Sequence, residues 1–388
     1  MKILITTDLF LPAVNGVVTS VLSLVHGLEE RGHEVKILTL SETVHSYTKG
    51  TVIRIGSFGA GRLYPGIRIR GFCPRKILRE LICWHPDIVH SQCEFNTFRI
   101  ARLVARRCKI PLIHTYHTVY EDYTHYFSPS MRVGRAMAQR FTRRITKRVD
   151  AVIVPTEKVR RLLESYRVKA PVSVIPTGLE QKKDRCGNAA DAPALRRRLG
   201  IPDDKRILLF LGRLAEEKNI PALFHLLRYP GLYDAVLVLV GDGPYRPELE
   251  RQSKAQRLSD RVFFAGMVPH AQSESYYRLG DVFVNASGSE TQGLTYIEAM
   301  AAGLPVVCRA DPCVEGLIDS GKNGFACKNE AEMALAAETL LSDAALRKSV
   351  TDAAKALVSS VYTSGAFAAA VEGLYLQITA GAPIRLKA

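Results

Sequence analysis

The strongest constraint on this chain is its alternation of short apolar runs with segments of helical period. In the first half the runs are 2–7 (KILITT), 34–40 (EVKILTL), 87–92 (DIVHSQ), 111–117 (PLIHTYH) and 150–156 (DAVIVPT). In the second they are 206–212 (RILLFLG), 235–241 (AVLVLVG), 262–266 (VFFAG), 281–287 (DVFVNAS) and 305–309 (PVVCR). Strands that alternate with helices form a parallel sheet clad on both faces. Two such series in 388 residues exceed what one core supports. The expected class is α/β, with two doubly wound, Rossmann-like domains facing a cleft. They span residues 1–180 and 204–365, joined by a polar linker at 181–203 that contains KKDRCGNAADAP and ends in a short helix before Pro202. In open parallel sheets ligands sit beyond the carboxyl ends of the strands, so the loops after each strand are where chemistry is expected.

Charge is spread unevenly. Lysine and arginine outnumber aspartate and glutamate by 28 to 14 over residues 1–180 and by 25 to 24 over the rest, giving +14 and +1 towards the net +15. The first domain is therefore expected to meet an anionic surface. No helix-turn-helix, zinc-finger or aromatic RNA-binding pattern accompanies the charge, which points away from nucleic acid and towards membrane lipid. No stretch approaches the roughly 20 apolar residues of a membrane helix, and no cleavable leader precedes the first strand. The eight cysteines are scattered without a C-x-x-C pair, so thiols in a reducing cytoplasm are expected and zinc is not.

The densest chemical signal is 287–305, SGSETQGLTYIEAMAAGLP. Glu290 and Glu298 bracket a Gly293-Leu294 turn that opens a helix, and Gly303 and Pro305 close it. Backbone N–H groups at such a start hold an anion, and the two acids accept hydrogen bonds from sugar or ribose hydroxyls. In the loop 210–219 (FLGRLAEEKN), Arg213 and Lys218 follow a strand and suit a diphosphate, although a solvated basic pair beside Glu216 and Glu217 has the same pattern. Gly243 and Val268 stand in the next two post-strand loops. Asn15 and Gly16 mark the entry to a helix beginning near Val17, where the missing side chain lets a ligand approach the backbone. His117 follows a strand, and Tyr120, Glu121, Asp122 and Tyr123 follow it in turn as expected lining of an acceptor pocket, with a turn of solvated acids as the alternative. His114, inside that strand, reads as packing.

Two basic segments lie in the first domain. From 130 to 150 (SMRVGRAMAQRFTRRITKRVD), Val133, Met137, Phe141 and Ile145 recur every fourth position among Arg140, Arg143, Arg144, Lys147 and other cations. Residues 61–81 mix Arg68 and Arg70 with Ile67, Ile69 and Phe72. An apolar stripe flanked by cations can lie in a bilayer interface, at about 1 kcal/mol per surface cation against anionic lipid. A core-facing stripe with solvated arginines is the alternative.

Taken in order, NGV, HTVYEDY, PTEKV, IPTGL, GRLAEEKN, GDGP and SETQGLTYIEA span nearly the whole chain and resemble the motif set of family 4 of the retaining glycosyltransferases, whose fold is GT-B. VNGVVTS, HTVYEDYTHY and ETQGLTYIEAMA look like the branch that glucosylates diacylglycerol from a UDP-sugar. The resemblance implies that Arg213 and Lys218 stabilise the departing diphosphate, that Glu290 and His117 hold the sugar and that Glu298 holds the ribose. It also implies that Gly16, Gly243, Val268, Gly293 and Leu294 border the donor. A C-terminal helix, from about 366 to 388, is expected to pack back on the first domain. No metal or other cofactor is required on this reading, because the two cations do what magnesium would do. The implied enzyme is peripheral, on the cytoplasmic face of the membrane. A different donor or a soluble acceptor, a sugar-nucleotide epimerase, and an inactive partner subunit of the same fold stay open, as do the choice between glucose and galactose and the oligomeric state.

Overall fold

Strands buried on both faces need no polar alternate, which is why the apolar runs above are continuous. The computed structural model describes residues 1–13, 15–59, 68–70, 72–121, 130–180, 191–269 and 272–381. The chain divides into two units, Met1–Glu180 with Thr363–Ala388, and Gln181–Tyr362.

In the first unit the strands are β1 (Lys2–Thr6), β2 (Glu34–Leu40), β3 (Tyr47–Lys49), β4 (Val52–Ile55), the short β5 (Phe58–Gly59) and β6 (Arg68–Ile69), β7 (Ile88–Ser91), β8 (Leu112–Thr115), β9 (Ala151–Val154) and β10 (Val172–Val174). Eight of them form one sheet in the order β10-β9-β8-β7-β1-β2-β4-β3, parallel throughout except at the β3–β4 edge. The two-residue period sends Ile3, Ile5, Ile37, Ile88 and Ile113 to one face, beneath α1 (Gly16–Glu30) and α13 (Ser364–Thr379). Leu4, Leu38, Val89 and Leu112 go to the other, beneath α2 (Arg75–Trp84) and α3 (Asn96–Cys108). The α1–α13 crossing is close: a Cβ on Gly27 would stand 2.7 Å from that of Ala368. Phe367, Val371, Leu374 and Tyr375 of α13 are buried there, each worth roughly 1.5–3 kcal/mol. Two further helices, α4 (Met131–Thr146) and α5 (Glu157–Ser165), follow β8 and β9.

The second unit opens with α6 (Asp191–Leu199), within the stretch expected as linker. Its strands are β11 (Arg206–Leu211), β12 (Ala235–Val240), β13 (Val262–Gly266), β14 (Val282–Asn285), β15 (Val306–Arg309) and β16 (Phe325–Cys327), all parallel, in the order β13-β12-β11-β14-β15-β16. Helices α7 (Pro221–Leu226), α8 (Arg246–Ala255), α9 (Ser273–Leu279), α10 (Leu294–Ala302), α11 (Glu330–Ser342) and α12 (Ala344–Val361) cover it. Strand order reverses between β11 and β14. That reversal opens a crevice at the carboxyl ends, where the loops after both strands converge.

Candidate active site

Glycine fixes the loop after β11. A Cβ on Gly241, after β12, would stand 1.9 Å from the Gly212 carbonyl oxygen, and one on Gly243 would stand 2.3 Å from that of Leu214. Only residues without a side chain let these two loops touch. A single 3-10 turn, Glu216–Lys218, then aims Lys218 across the crevice, where its Nζ donates to Glu290 Oε1 at 2.7 Å. Arg213 pairs with Glu217 in its own loop. Burial works against the Glu290 carboxylate, but the Lys218 ammonium and hydrogen bonds to Ser287 and Asn285 outweigh it and hold the carboxyl below its ordinary range. From sequence the two cations read as a positive clamp. In the structure each carries an acid, so the four charges balance.

The remaining positive potential comes from α10. It opens on Gly293 at φ +74°, a residue with no side chain of its own to cap the first turn, which leads with Leu294. A Cβ on Gly293 would stand 2.4 Å from the buried Tyr296 ring. Glu298, one turn in, accepts a hydrogen bond from Tyr277 Oη at 2.7 Å. Tyr277, buried on α9, went unmarked in the sequence. Val268 stands half-buried after β13, where the Gly266 carbonyl accepts the Gly241 N–H at 2.9 Å. The structure thus brings Lys218 to Glu290 at the β11–β14 reversal, while Gly243 buttresses the Arg213 loop.

Gly16 and His117 lie in the first unit. Gly16 is exposed as the first residue of α1, and Asn15 caps that helix by accepting the Val18 N–H at 3.0 Å. His117 Nε2 lies 2.7 Å from Gln92 Oε1, an oxygen that only accepts, so Nε2 bears the proton and Nδ1 is left as an acceptor. Beneath it is a polar cluster. His90 is held between Tyr375 Oη (2.6 Å) and Thr115 Oγ1 (2.7 Å). Tyr120 Oη donates to Glu94 at 2.7 Å, with His114 Nε2 3.3 Å from the other oxygen of that carboxylate. His114 is fully buried, between Phe98 and Tyr116. His90, Gln92 and Glu94 fall at every second position of one strand and its exit, a period that could have revealed them.

The expected acceptor and membrane residues divide. Tyr120 turns its hydroxyl inward to Glu94, and Glu121 pairs with Arg135 at 3.0 Å. Tyr123 and Asp122 lie outside the described residues. Arg68 spends its donors on Ser57 and Arg70 on the Gly56 and Phe72 carbonyls, so both brace their own segment. Arg140, Arg143, Arg144 and Lys147 are exposed on or just after α4. The four-residue stripe of α4 does not lie on one face. Each step of four advances about 40° past a full turn, so Ile145 meets the core while Val133 and Met137 stand exposed. Among the described residues no helix is long and apolar enough to cross a membrane.

Burial lowers His117 to about 4, against a raising influence of Glu94, and His90 lies well below its ordinary value. Unfolded, each would bind a proton below about pH 6.5, so stability is complete above that value and drains away as pH falls towards 4. We expect the free energy of unfolding to drop between pH 7 and 5, by up to about 1.4 kcal/mol per pH unit for each histidine. His117→Asn should flatten that slope by one proton; an unchanged slope would clear His117 of the effect.

Comparison with known proteins follows the same division. Residues 14–183 match the model for Glycosyltransferase Family 4 and residues 191–357 that for Glycosyl transferases group 1. The chain is 38% identical to an alpha-monoglucosyldiacylglycerol synthase of Streptococcus pneumoniae, over 86% of this chain and 77% of that one. It is 33% identical to one of Acholeplasma laidlawii, over 85% and 86%. The crystal structure of Anabaena HepE in complex with UDP-glucose superposes with a TM-score of 0.73 at 18% identity, over 97% of this chain and all of that one. The chain belongs to family 4 of the glycosyltransferases and has their GT-B fold.

Proposed function

We propose that the chain transfers a glucosyl group from UDP-glucose to 1,2-diacylglycerol, with retention of configuration, on the cytoplasmic face of an anionic membrane. Identity over most of the chain with two proteins named as alpha-monoglucosyldiacylglycerol synthases carries the reading. In this division of labour the second unit takes the donor and the first takes the acceptor. Arg213, Lys218 and the α10 amides stabilise the diphosphate as charge builds on it. Glu290 orders Lys218 and reads the sugar, and Glu298, steadied by Tyr277, reads the ribose. The acceptor hydroxyl attacks on the face the diphosphate leaves, and its proton passes to the departing phosphate oxygen. Neutral His117 offers Nδ1 to a hydroxyl. This chemistry calls on no metal.

A lipid acceptor is supported by side chains exposed near the carboxyl edge of the first sheet. Phe72 is 89% exposed and Met131 75%, with Phe58, Phe95, Val133 and Met137 also open to solvent. Large apolar groups among arginines suit an anionic bilayer interface.

The test is to incubate the protein with UDP-glucose, UDP-galactose or GDP-mannose, with and without diacylglycerol in anionic and neutral micelles, and to measure nucleotide release. Release from UDP-glucose is expected only with diacylglycerol and to be greater in anionic micelles. Release with a soluble sugar instead, or epimerised donor without release, would overturn the reading. Glu298→Ala is expected to weaken UDP binding by calorimetry about tenfold or more, the loss of a charged hydrogen bond. Unchanged affinity would remove Glu298 from the ribose.

A further inference from the structure

Helices α3 and α4 both end at the amino edge of the first sheet, opposite the edge that carries Gly16 and His117. Between their ends lies a cavity of about 640 Å³ lined by Arg102, Arg106 and Lys109 on one side and by Arg144, Lys147 and Arg148 on the other. Ile110 and Leu112 also line it. The one acid there, Asp150, is committed: its carboxylate accepts the Leu112 N–H at 2.8 Å.

Some surface arginines are neutralised locally, as in Arg160 with Glu157 and Glu164, Arg246 with Glu250, Arg251 with Glu248 and Arg278 with Glu274; what sets the cavity apart is six cations lining one concavity. Among the described residues none of the six cavity cations is in an ion pair. Setting Asp150 and about half a negative charge from each helix end against them leaves about +4 in one small volume. Burial and the neighbouring guanidinium groups of Arg106 and Arg148 pull Arg102 below its ordinary range, the mark of cations crowded without a counter-charge. Arginine forks match phosphate oxygens bidentately. A cavity of this size, within the usual range of small-ligand sites, holds more than a bare phosphate, and Ile110 and Leu112 supply apolar wall for the remainder.

We propose that this cavity is a second anion site, binding a phosphate group carried on a small organic moiety, apart from the donor site. The phosphate could come from a soluble phosphoester or from a phospholipid headgroup, so the experiment has an arm for each. With the donor site filled by saturating UDP, inorganic phosphate and glycerol 3-phosphate are titrated calorimetrically into the full chain and into Arg106→Gln/Arg148→Gln. In parallel, both proteins are sedimented with phosphatidylglycerol-containing vesicles and with neutral phosphatidylcholine vesicles. Saturable binding in either arm, weakened about tenfold or more in the variant, supports the site and identifies its source. Equal affinity in the two proteins, or no saturable binding in either arm, overturns it. Thermal denaturation of the variant checks its fold; the soluble arm is independent of the proposed function, and in the vesicle arm only the difference between the two proteins counts, because docking of the first unit on anionic lipid is common to both.

Discussion

Lys218→Ala is expected to lower turnover by about 10²–10³, the loss that follows removal of one transition-state donor. It should also destabilise the second unit by about 3–5 kcal/mol, because Glu290 would be left as a largely buried carboxylate without its partner. The two effects separate in Lys218→Ala/Glu290→Gln. Glutamine keeps the size of the side chain and the contacts with Ser287 and Asn285 while discarding the orphaned charge, so stability should largely return and turnover should not. Urea denaturation reads the first and single-turnover glucosyl transfer the second. Near wild-type turnover in Lys218→Ala would remove the lysine from the chemistry. Recovery of turnover in the double variant would reduce it to a counter-ion for Glu290.

That pairing also marks where reading the sequence stops. The α/β class was legible because β1, β12 and their neighbours are buried on both faces and carry unbroken apolar runs. β16, with three residues, and β3, exposed along its length, carry no such run and are held by pairing with longer neighbours. Glu290, Gly293 and Glu298 stand in one local stretch and Lys218 in another, but the Lys218–Glu290 bond joins residues 72 apart and depends on β11 and β14 being neighbours. Arg68 and Arg70 looked free for lipid because a sequence displays charge and not hydrogen-bond partners; the carbonyls that occupy them belong to the turn after β4 and the segment after β6. Likewise, His114 reads as packing from its strand alone, and only the β7–β8 pairing sets it beside Glu94.

Gly293→Ala should cripple donor turnover with a single added methyl. Two costs combine. The left-handed backbone at φ +74° disfavours any Cβ by roughly 1–2 kcal/mol. In addition, that Cβ would meet the Tyr296 ring at 2.4–2.5 Å, and the ring is 1% exposed and packed edge-on against Phe283, so it has nowhere to go. The start of α10 must then shift and take the Leu294 amide with it. A displacement of about 1 Å at a positioning group costs on the order of 10²-fold in rate, so kcat/KM for the donor should fall at least that far while the fold survives. Gly316→Ala isolates the backbone cost: its φ is +79°, and a Cβ there would meet nothing within 4 Å. That variant should lose about 1 kcal/mol and keep its turnover. If the two alanines proved equally mild in kcat/KM, the mouth of α10 would not be what grips the diphosphate.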